Sequence, residues 1–234
     1  MDVFDDYKYD GKELPRMDAQ RNLMLAKKYM VESVFRAANV EGIGVTFPET
    51  QAICDGMSVG GYKIEEVEAV VDLKHAWQWC FTNHQAQISL DTLQTINRIA
   101  GKMTVINAGS LRDQCDAPVY VTLRYGERYA PPLSQVDAIS QDLVSLLASE
   151  DALDNALELF CYVAKGQFFN DGNKRTATVV TNLYMIQNGL GIFSIPPEKK
   201  LEFYNFLTDF YGDDVCKEDL KDFLHRYCLT FSED

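Results

Sequence analysis

The sequence predicts an all-α protein of about eight helices with one short β-hairpin. Most of the 234-residue chain spaces its apolar residues three and four apart, as on one face of a helix. Residues of the kinds that begin and end helices flank these segments. One stretch, residues 117–132, departs from this spacing and is rich in β-branched and aromatic residues, which favour strands.

Four helices are predicted before the hairpin. The first covers residues 16–38 and ends near Asn39, and its apolar positions are Leu23, Ala26, Met30 and Val34. The second is short, because Thr46 and Glu49 form a capping-box sequence and Gly56 is placed to end it. After a loop at residues 60–62, helical spacing and caps place the other two helices at residues 64–81 and 89–101.

The hairpin is expected within residues 117–132, where prolines lie at both margins and ArgTyrGlyGlu lies at the centre. Helical spacing then returns at residues 136–147, 153–164, 173–189, 196–212 and 217–229. No internal repeat or linker interrupts the chain. We therefore expect residues 16–234 to form a single domain, with residues 1–15 as an N-terminal extension.

The composition excludes several classes of protein. With 47% hydrophobic and 24% charged residues, the chain is typical of a globular protein rather than a disordered one. No apolar run approaches the ~20 residues of a membrane span, and the acidic start lacks the features of a signal peptide, so we expect a cytoplasmic protein. A net charge of −13 disfavours nucleic acid as a partner. The six cysteines have no CxxC spacing and are expected to be free thiols.

Residues 166–177, GQFFNDGNKRTA, hold the densest group of chemically capable side chains. The turn leads into a predicted helix, so its free backbone amides and the helix dipole would attract an anion such as phosphate. Those amides belong to Gly172, Asn173 and Lys174. Arg175 can fork onto phosphate oxygens, Asp171 could hold Mg²⁺ between phosphate groups, and Phe169 would anchor the turn in the core. The alternative is an ordinary capped helix start in which the same polar groups satisfy local donors.

This stretch resembles the signature of the Fic/Doc family, HxFx(D/E)GN(G/K)R. The matching residues are Phe169, Asp171, Gly172, Asn173, Lys174 and Arg175. The family is helical and has a β-hairpin flap upstream of the signature. Residues 39–50, NVEGIGVTFPET, are similar to a family segment that ends in IleGluGly. The resemblance covers about residues 33–228 and implies a Fic-type helical domain.

The resemblance implies a protein adenylyltransferase, which binds ATP with Mg²⁺ and transfers AMP to a hydroxyl of a target protein. By residue match, Asp171 would bind the metal, and Arg175 would bind the leaving pyrophosphate. Gly172, Asn173 and Lys174 would complete the nucleotide site through the loop. The hairpin would pair with an extended segment of the target, as in strand addition. The flap residues expected to face that target are Val119, Val121, Leu123 and Tyr129.

Gln167 departs from the family signature, because it occupies the position of a histidine. That histidine takes the proton from the attacking hydroxyl, and a glutamine amide has no lone pair basic enough to do so at neutral pH. Loss of a general base typically lowers a rate by ~10²–10⁴-fold. We therefore predict that nucleotide binding is retained while AMP transfer is weak or absent. The chain's three histidines are distant from the signature in sequence: His75, His84 and His225.

A second departure concerns regulation. In many relatives the glutamate of the IleGluGly-like segment inhibits by pairing with an arginine three residues after the signature arginine. Here the glutamate would be Glu41, the arginine position is Thr178, and an expected Ser/Thr is Ala37. Glu41 is therefore either an inhibitor or a plain helix-end carboxylate. Lys174 makes the signature more like that of the Doc branch, whose toxins phosphorylate a translation factor.

Two other functions stay open from the sequence. One is an active Fic-type transferase that uses an already ionised acceptor or an unusual base, since such an acceptor needs no deprotonation. The other is an interaction protein that captures a partner with the hairpin edge and binds no nucleotide. Gln167 itself has two explanations, a natural residue or one introduced to disable a histidine enzyme.

Overall fold

The computed structural model describes residues 16–112, 119–133 and 135–231. Before the flap it has α1 (Ala19–Lys28), α2 (Met30–Val40), α3 (Phe47–Cys54), α4 (Ile64–Thr82) and α5 (Leu90–Ala100). After the flap it has α6 (Val136–Leu146), α7 (Ala152–Gly166), α8 (Asn173–Asn188), α9 (Lys200–Gly212) and α10 (Lys217–Tyr227). The predicted all-α class is confirmed, with ten α-helices in the described residues rather than about eight.

The prediction of one continuous helix over residues 16–38 was wrong. Helix α1 ends at Lys28 and α2 begins at Met30, with Tyr29 between them at φ −96° and ψ 13°. Hydrogen bonds nevertheless continue across the break, from Tyr29 N–H to the Leu25 carbonyl (3.1 Å) and from Ser33 N–H to the Tyr29 carbonyl (2.9 Å). Because a single residue is affected, the apolar spacing runs through the break and does not reveal it.

The helix caps predicted from sequence are confirmed. Thr46 and Glu49 form the reciprocal capping box of α3, with Thr46 N–H 2.8 Å from the Glu49 carboxylate. Ser89 caps α5, and Gly189 ends α8 with a left-handed φ of 69°. These local signals define the helix ends well because each bond closes within four residues.

The flap is a short antiparallel hairpin of β1 (Val121–Thr122) and β2 (Arg128–Tyr129), in which Val121 is opposite Tyr129. The expectation that this hairpin is the only break in the helical pattern was wrong. A second pair joins β3 (Ile192–Phe193) to β4 (Leu229–Thr230). Strands of two residues are too short for the alternation that marks a strand in sequence.

Helix α8 forms the centre of the fold. Thirteen of its sixteen residues are buried, and it packs against α7, α5, α4 and α1. Even its polar residues are used internally: Asn182 donates to the Phe193 carbonyl (2.7 Å) and accepts from the Phe193 amide (2.9 Å). Because α8 starts at Asn173, the predicted phosphate-binding turn is carried by the most buried of the ten helices in the described residues.

The expectations about membrane spans and cysteines can be compared with the structure only where residues are described. In the described residues, no helix is both long enough and apolar enough to cross a membrane. Five of the six cysteines lie in these parts of the chain, and all five are free thiols. Cys115, the predicted extension at residues 1–15 and the first residues of the predicted hairpin lie outside the described residues.

Candidate functional site

The signature turn, residues 167–172, connects the end of α7 to the start of α8. Both ends of this turn have left-handed backbone: Gln167 has φ 44° and Gly172 has φ 76°. A Cβ atom on Gly172 would lie 3.1 Å from Nδ2 of Asn97. Glycine is therefore needed at residue 172 both for its conformation and for this close approach.

Asn173 closes the signature turn with its side chain. Its Oδ1 accepts from the Phe169 amide (3.0 Å), and its Nδ2 donates to the Phe169 carbonyl (2.8 Å) and to Oε1 of Gln167 (3.1 Å). Phe169 itself is 0% exposed, as an anchor in the core requires. The Asn173 side chain is thus engaged within the turn, which leaves its backbone N–H as the group that can face a ligand.

Asn97 supports the same turn from α5 and was not among the residues predicted from the sequence. Its Nδ2 donates to the Asp171 carbonyl (3.0 Å) and to Oγ1 of Thr176 (3.1 Å). Its Oδ1 accepts from the Gly109 amide (2.8 Å). The sequence did carry a signal for this role, because Asn97 is a polar residue on the buried and otherwise mostly apolar face of α5.

The start of α8 presents free backbone donors, although one of the three amides predicted to be free, that of Gly172, is engaged within the turn. The first helical hydrogen bond runs from Thr176 N–H to the Gly172 carbonyl (2.8 Å), so the amides of Asn173, Lys174 and Arg175 precede the helical ladder. The Gly172 amide, in contrast, donates to Oδ1 of Asp171 (2.6 Å). Together with the helix dipole, these amides give this end of α8 a partial positive charge.

A cavity of about 310 Å³ lies over the signature turn, near the lower end of the ~300–1,000 Å³ typical of small-molecule sites. Its walls come from the turn and the first residues of α8, from the flap and from α9. The first wall consists of Gln167, Asn170, Asp171, Asn173 and Lys174, and the flap contributes Val119, Tyr120, Val121 and Thr122. The α9 wall, which sequence reasoning missed, consists of Tyr204, Leu207, Thr208 and Tyr211. Their i, i+3, i+4, i+7 spacing shows one helix face.

Some predicted site residues lie outside the lining of this cavity: Gly172, Arg175, Glu41, Leu123 and Tyr129. Arg175 is only 5% exposed. Its Nη1 donates to the Ala100 carbonyl (2.6 Å) and to Oγ1 of Thr104 (3.1 Å), and its Nη2 lies 3.5 Å from Oδ2 of Asp171. The guanidinium is thus held at the end of α5.

Glu41 reaches the start of α8 from the end of α2. Its carboxylate oxygens lie 3.6 Å from Nζ of Lys174 and 3.7 Å from Nε of Arg175. Ala37 and Thr178, which replace the companions found in many relatives, both line a small cavity beside this carboxylate. Glu41 therefore contacts the two cations of the signature rather than a later arginine.

Lys174 is the one cationic side chain among the described residues that line the cavity. Burial opposes a charge on this lysine, but the Glu41 carboxylate raises the pKa of its ammonium above the ordinary value. Burial also raises the pKa values of Tyr204 and Tyr211, so both phenols stay protonated at neutral pH. Asp171 is the one carboxylate among the lining residues.

Gln167 is fixed in place at 8% exposure. Its Nε2 donates to the Ala164 carbonyl at the end of α7 (2.7 Å) and contacts the hydroxyl of Tyr211 (3.4 Å), while its Oε1 accepts from Asn173 (3.1 Å). The side-chain amide of Gln167 therefore caps the end of α7 and provides no group that can accept a proton. All three histidines lie in the described residues, and none of them lines the cavity.

The flap packs on α9. The ring of Tyr129 stacks on the ring of Tyr211 at 6.1 Å and 8°. Leu123 lies against Gly212, where an added Cβ would come within 3.3 Å of its Cδ1. The four predicted flap residues thus divide into two groups. Val119 and Val121 face the cavity, whereas Leu123 and Tyr129 anchor the hairpin.

The signature turn and the helices that carry it match a known family. Residues 87–185 match the model of the Fic/DOC family. The predicted Fic/Doc resemblance is confirmed. This Fic region includes α5, the flap, α7, the signature turn and most of α8.

The Fic fold extends beyond that region. Fic-1 from C. elegans superposes with a TM-score of 0.66 at 22% identity, covering 96% of this chain and 67% of that one. A Fic domain containing signaling protein from Bacteroides thetaiotaomicron has a TM-score of 0.67 at 16% identity, with 90% and 85% coverage.

A curated relative carries a named activity. Protein adenylyltransferase fic-1 of Caenorhabditis elegans is 25% identical over 211 residues, which cover 85% of this chain and 40% of that protein. The chain therefore matches less than half the length of that relative.

Proposed function

We propose that this protein is a Fic-type transferase scaffold that binds ATP with Mg²⁺ in the cavity between the signature turn and the flap. We further propose that its transfer of AMP to protein hydroxyls is weak or absent. The observation that carries the proposal is the position of Gln167, which lines the cavity beside Asp171 and Lys174 and is fully engaged as a helix cap. The adenylyltransferase name of the curated relative supports the choice of nucleotide.

Binding would depend on groups that do not involve residue 167. The amides of Asn173 and Lys174 and the Lys174 ammonium can hold phosphate oxygens at the start of α8. Asp171 is 65% exposed, so its carboxylate is accessible to a cation. The described residues include no group of three or more acidic, histidine or cysteine side chains arranged for a metal. One carboxylate plus phosphates and water suits Mg²⁺, which when bound would neutralise charge on the phosphates.

Transfer requires a proton acceptor for the target hydroxyl, and the cavity offers a poor set. Gln167 can orient a hydroxyl by hydrogen bonding, but it cannot take its proton. The phenols of Tyr204 and Tyr211 stay protonated, because burial raises their pKa values. Asp171 is assigned to the metal and is a weak base. We therefore expect a rate ~10²–10⁴-fold below that of a histidine enzyme.

Glu41 would act as an inhibitor in this proposal. While its carboxylate contacts Lys174 and Arg175, those two cations are partly neutralised and Arg175 stays at the end of α5. A triphosphate would have to displace the carboxylate to use both cations.

The partner would be a protein segment that adds to the flap beside Val119 and Val121. The single domain over residues 16–234 and the cytoplasmic location stay predictions.

The test compares the wild-type protein with Gln167→His. A histidine at this position supplies an imidazole nitrogen that can accept a proton near neutral pH, which the glutamine amide cannot do. Calorimetry with ATP and Mg²⁺ should give similar dissociation constants for both proteins. Transfer of labelled AMP to proteins should stay at background for the wild type and appear with Gln167→His.

Two results would contradict this function. Absence of binding heat and of thermal stabilisation at millimolar ATP, in both proteins, would favour an interaction protein without nucleotide. AMP transfer by the wild type that is lost in Arg175→Ala would instead favour an active transferase with an ionised acceptor or an unusual base.

A further inference from the structure

Arg112 is a buried arginine that lies just before the flap and touches two separate segments. It is 6% exposed. Its backbone N–H donates to the Phe168 carbonyl (2.8 Å), and its Nε donates to the Gln167 carbonyl (2.7 Å). Its Nη2 donates to the carbonyls of Pro131 (3.1 Å) and Pro132 (2.9 Å). One residue therefore makes four hydrogen bonds to main-chain carbonyls.

The two segments that Arg112 joins each adjoin a wall of the cavity, which Gln167 lines from the signature turn and residues 119–122 line from the flap. Gln167 and Phe168 begin the signature turn, while Pro131 and Pro132 follow β2 at the base of the flap. The bridge between Leu111 and Phe169 places the chain beside the turn at the same point. The carbonyls of both segments converge on a single guanidinium.

The geometry requires arginine specifically. A guanidinium presents five N–H donors in a rigid planar fork, so it can reach carbonyls on two sides at once. A lysine ammonium is a compact point charge on a flexible stem and cannot span the same positions. Hydrogen bonds from a charged donor are stronger than those from a neutral one. Loss of the guanidinium should therefore lower the local stability of the flap and of the signature turn.

We propose that Arg112 is a positioning residue that holds the flap at a set distance from the signature turn. The guanidinium thereby fixes the width of the 310 Å³ cavity between the two walls. One expected consequence, a weaker affinity for ATP when the flap is released, rests on the proposed function. The mechanical role itself can be tested without any nucleotide.

The experiment measures hydrogen–deuterium exchange in Arg112→Lys and Arg112→Gln. A matched control is Arg36→Lys, because Arg36 is also a buried arginine (7% exposed) but bonds Ser194 and Glu32, away from the flap. In both Arg112 variants, the amides of residues 121–129 and 167–172 should exchange at least ~10-fold faster, as expected for a lost charged hydrogen bond. Arg112→Gln should show the larger effect, with partial rescue by lysine.

The same proteins give the contrary outcome. Unchanged exchange of the flap in a folded Arg112→Gln protein, or an equal increase in Arg36→Lys, would overturn the proposal. If exchange rises in the flap while ATP binds in neither wild type nor variant, the positioning role stands and the proposed function fails.

A measurement on the wild type covers the case in which the variants do not fold. In ¹⁵N-arginine-labelled protein, the Nε–H of Arg112 should exchange at least ~10-fold more slowly than that of the exposed Arg128. Equal exchange of the two would show that the fork is not held, and would overturn the proposal.

Discussion

The carboxylate of Glu41 lies 3.7 Å from Nε of Arg175, and its other oxygen lies 3.6 Å from Nζ of Lys174. Neither contact is a hydrogen bond, and both Oε1 of Glu41 and Nε of Arg175 are buried. Because the carboxylate makes no hydrogen bond to either cation, the packing around the charges holds them together. A triphosphate can therefore compete with Glu41 for the same two cations. These two contacts of Glu41 join the end of α2 to the signature residues at the start of α8.

Replacing Glu41 with glutamine should strengthen ATP binding. Because Lys174 and Arg175 would no longer face a carboxylate, the dissociation constant should fall by roughly 5-fold or more, as for a typical coupling between sites. Calorimetry checks this, with Glu32→Gln as the control, since Glu32 is a carboxylate within α2 that pairs with Arg36 (2.6 Å). An equal affinity in wild type and Glu41→Gln would show that Glu41 does not compete with the nucleotide.

Replacing Asp171 with asparagine should remove the dependence of ATP binding on Mg²⁺. The wild type should bind ATP more weakly in excess EDTA, because the exposed Asp171 carboxylate then faces the phosphates without a bridging cation. Asp171→Asn should bind equally with and without Mg²⁺. The control is Asp91→Asn, in the first turn of α5. A full Mg²⁺ effect in Asp171→Asn would place the metal elsewhere.

Replacing Gly172 with alanine should destabilise the protein by about 1–2 kcal/mol, the cost of a left-handed backbone for a residue with a Cβ. The new Cβ would also approach Asn97. Urea unfolding measures the change. Gly60→Ala is the matched control, because Gly60 has an ordinary φ and open space around its Cβ position. Equal stability of the two variants would contradict the observed turn.

Stability should fall in acid partly through Glu158. Burial opposes its ionisation, but hydrogen bonds from Lys221 and Lys217 hold the pKa of this carboxyl below its ordinary value. Its stabilising effect is therefore present above an unfolded pKa of about 4.3 and lost as pH falls through the lowered folded pKa. Urea unfolding should show Glu158→Gln less stable than wild type at pH 7. The difference should shrink in acid, and a constant difference would contradict this.

Local features of this protein were predictable from the sequence because they depend on near neighbours. Thr46 with Glu49, Ser89 and Gly189 define helix ends through bonds that span at most four residues. The signature residues are contiguous, so their place at the start of α8 followed from one predicted helix boundary. The break at Tyr29 was not predictable, since the apolar spacing passes through it unchanged.

Contacts distant in sequence were not predictable from spacing. Asn97 and Arg112 donate to the signature turn across 74 and 55 residues, respectively. The strand pair β3–β4 and the α9 wall of the cavity likewise depend on which helices meet. No periodic pattern within a segment encodes such a meeting.

By itself, the sequence determined the helical class, the family resemblance, and a signature turn that has Gln167, with no basic group, at the position of the family's histidine. Only the tertiary structure decided that Glu41 faces Arg175 and Lys174 and that Arg112 joins the turn to the flap. The physical reason is that helix propensity and capping act over one turn of chain. The placement of buried charges, in contrast, depends on how helices far apart in sequence pack around α8.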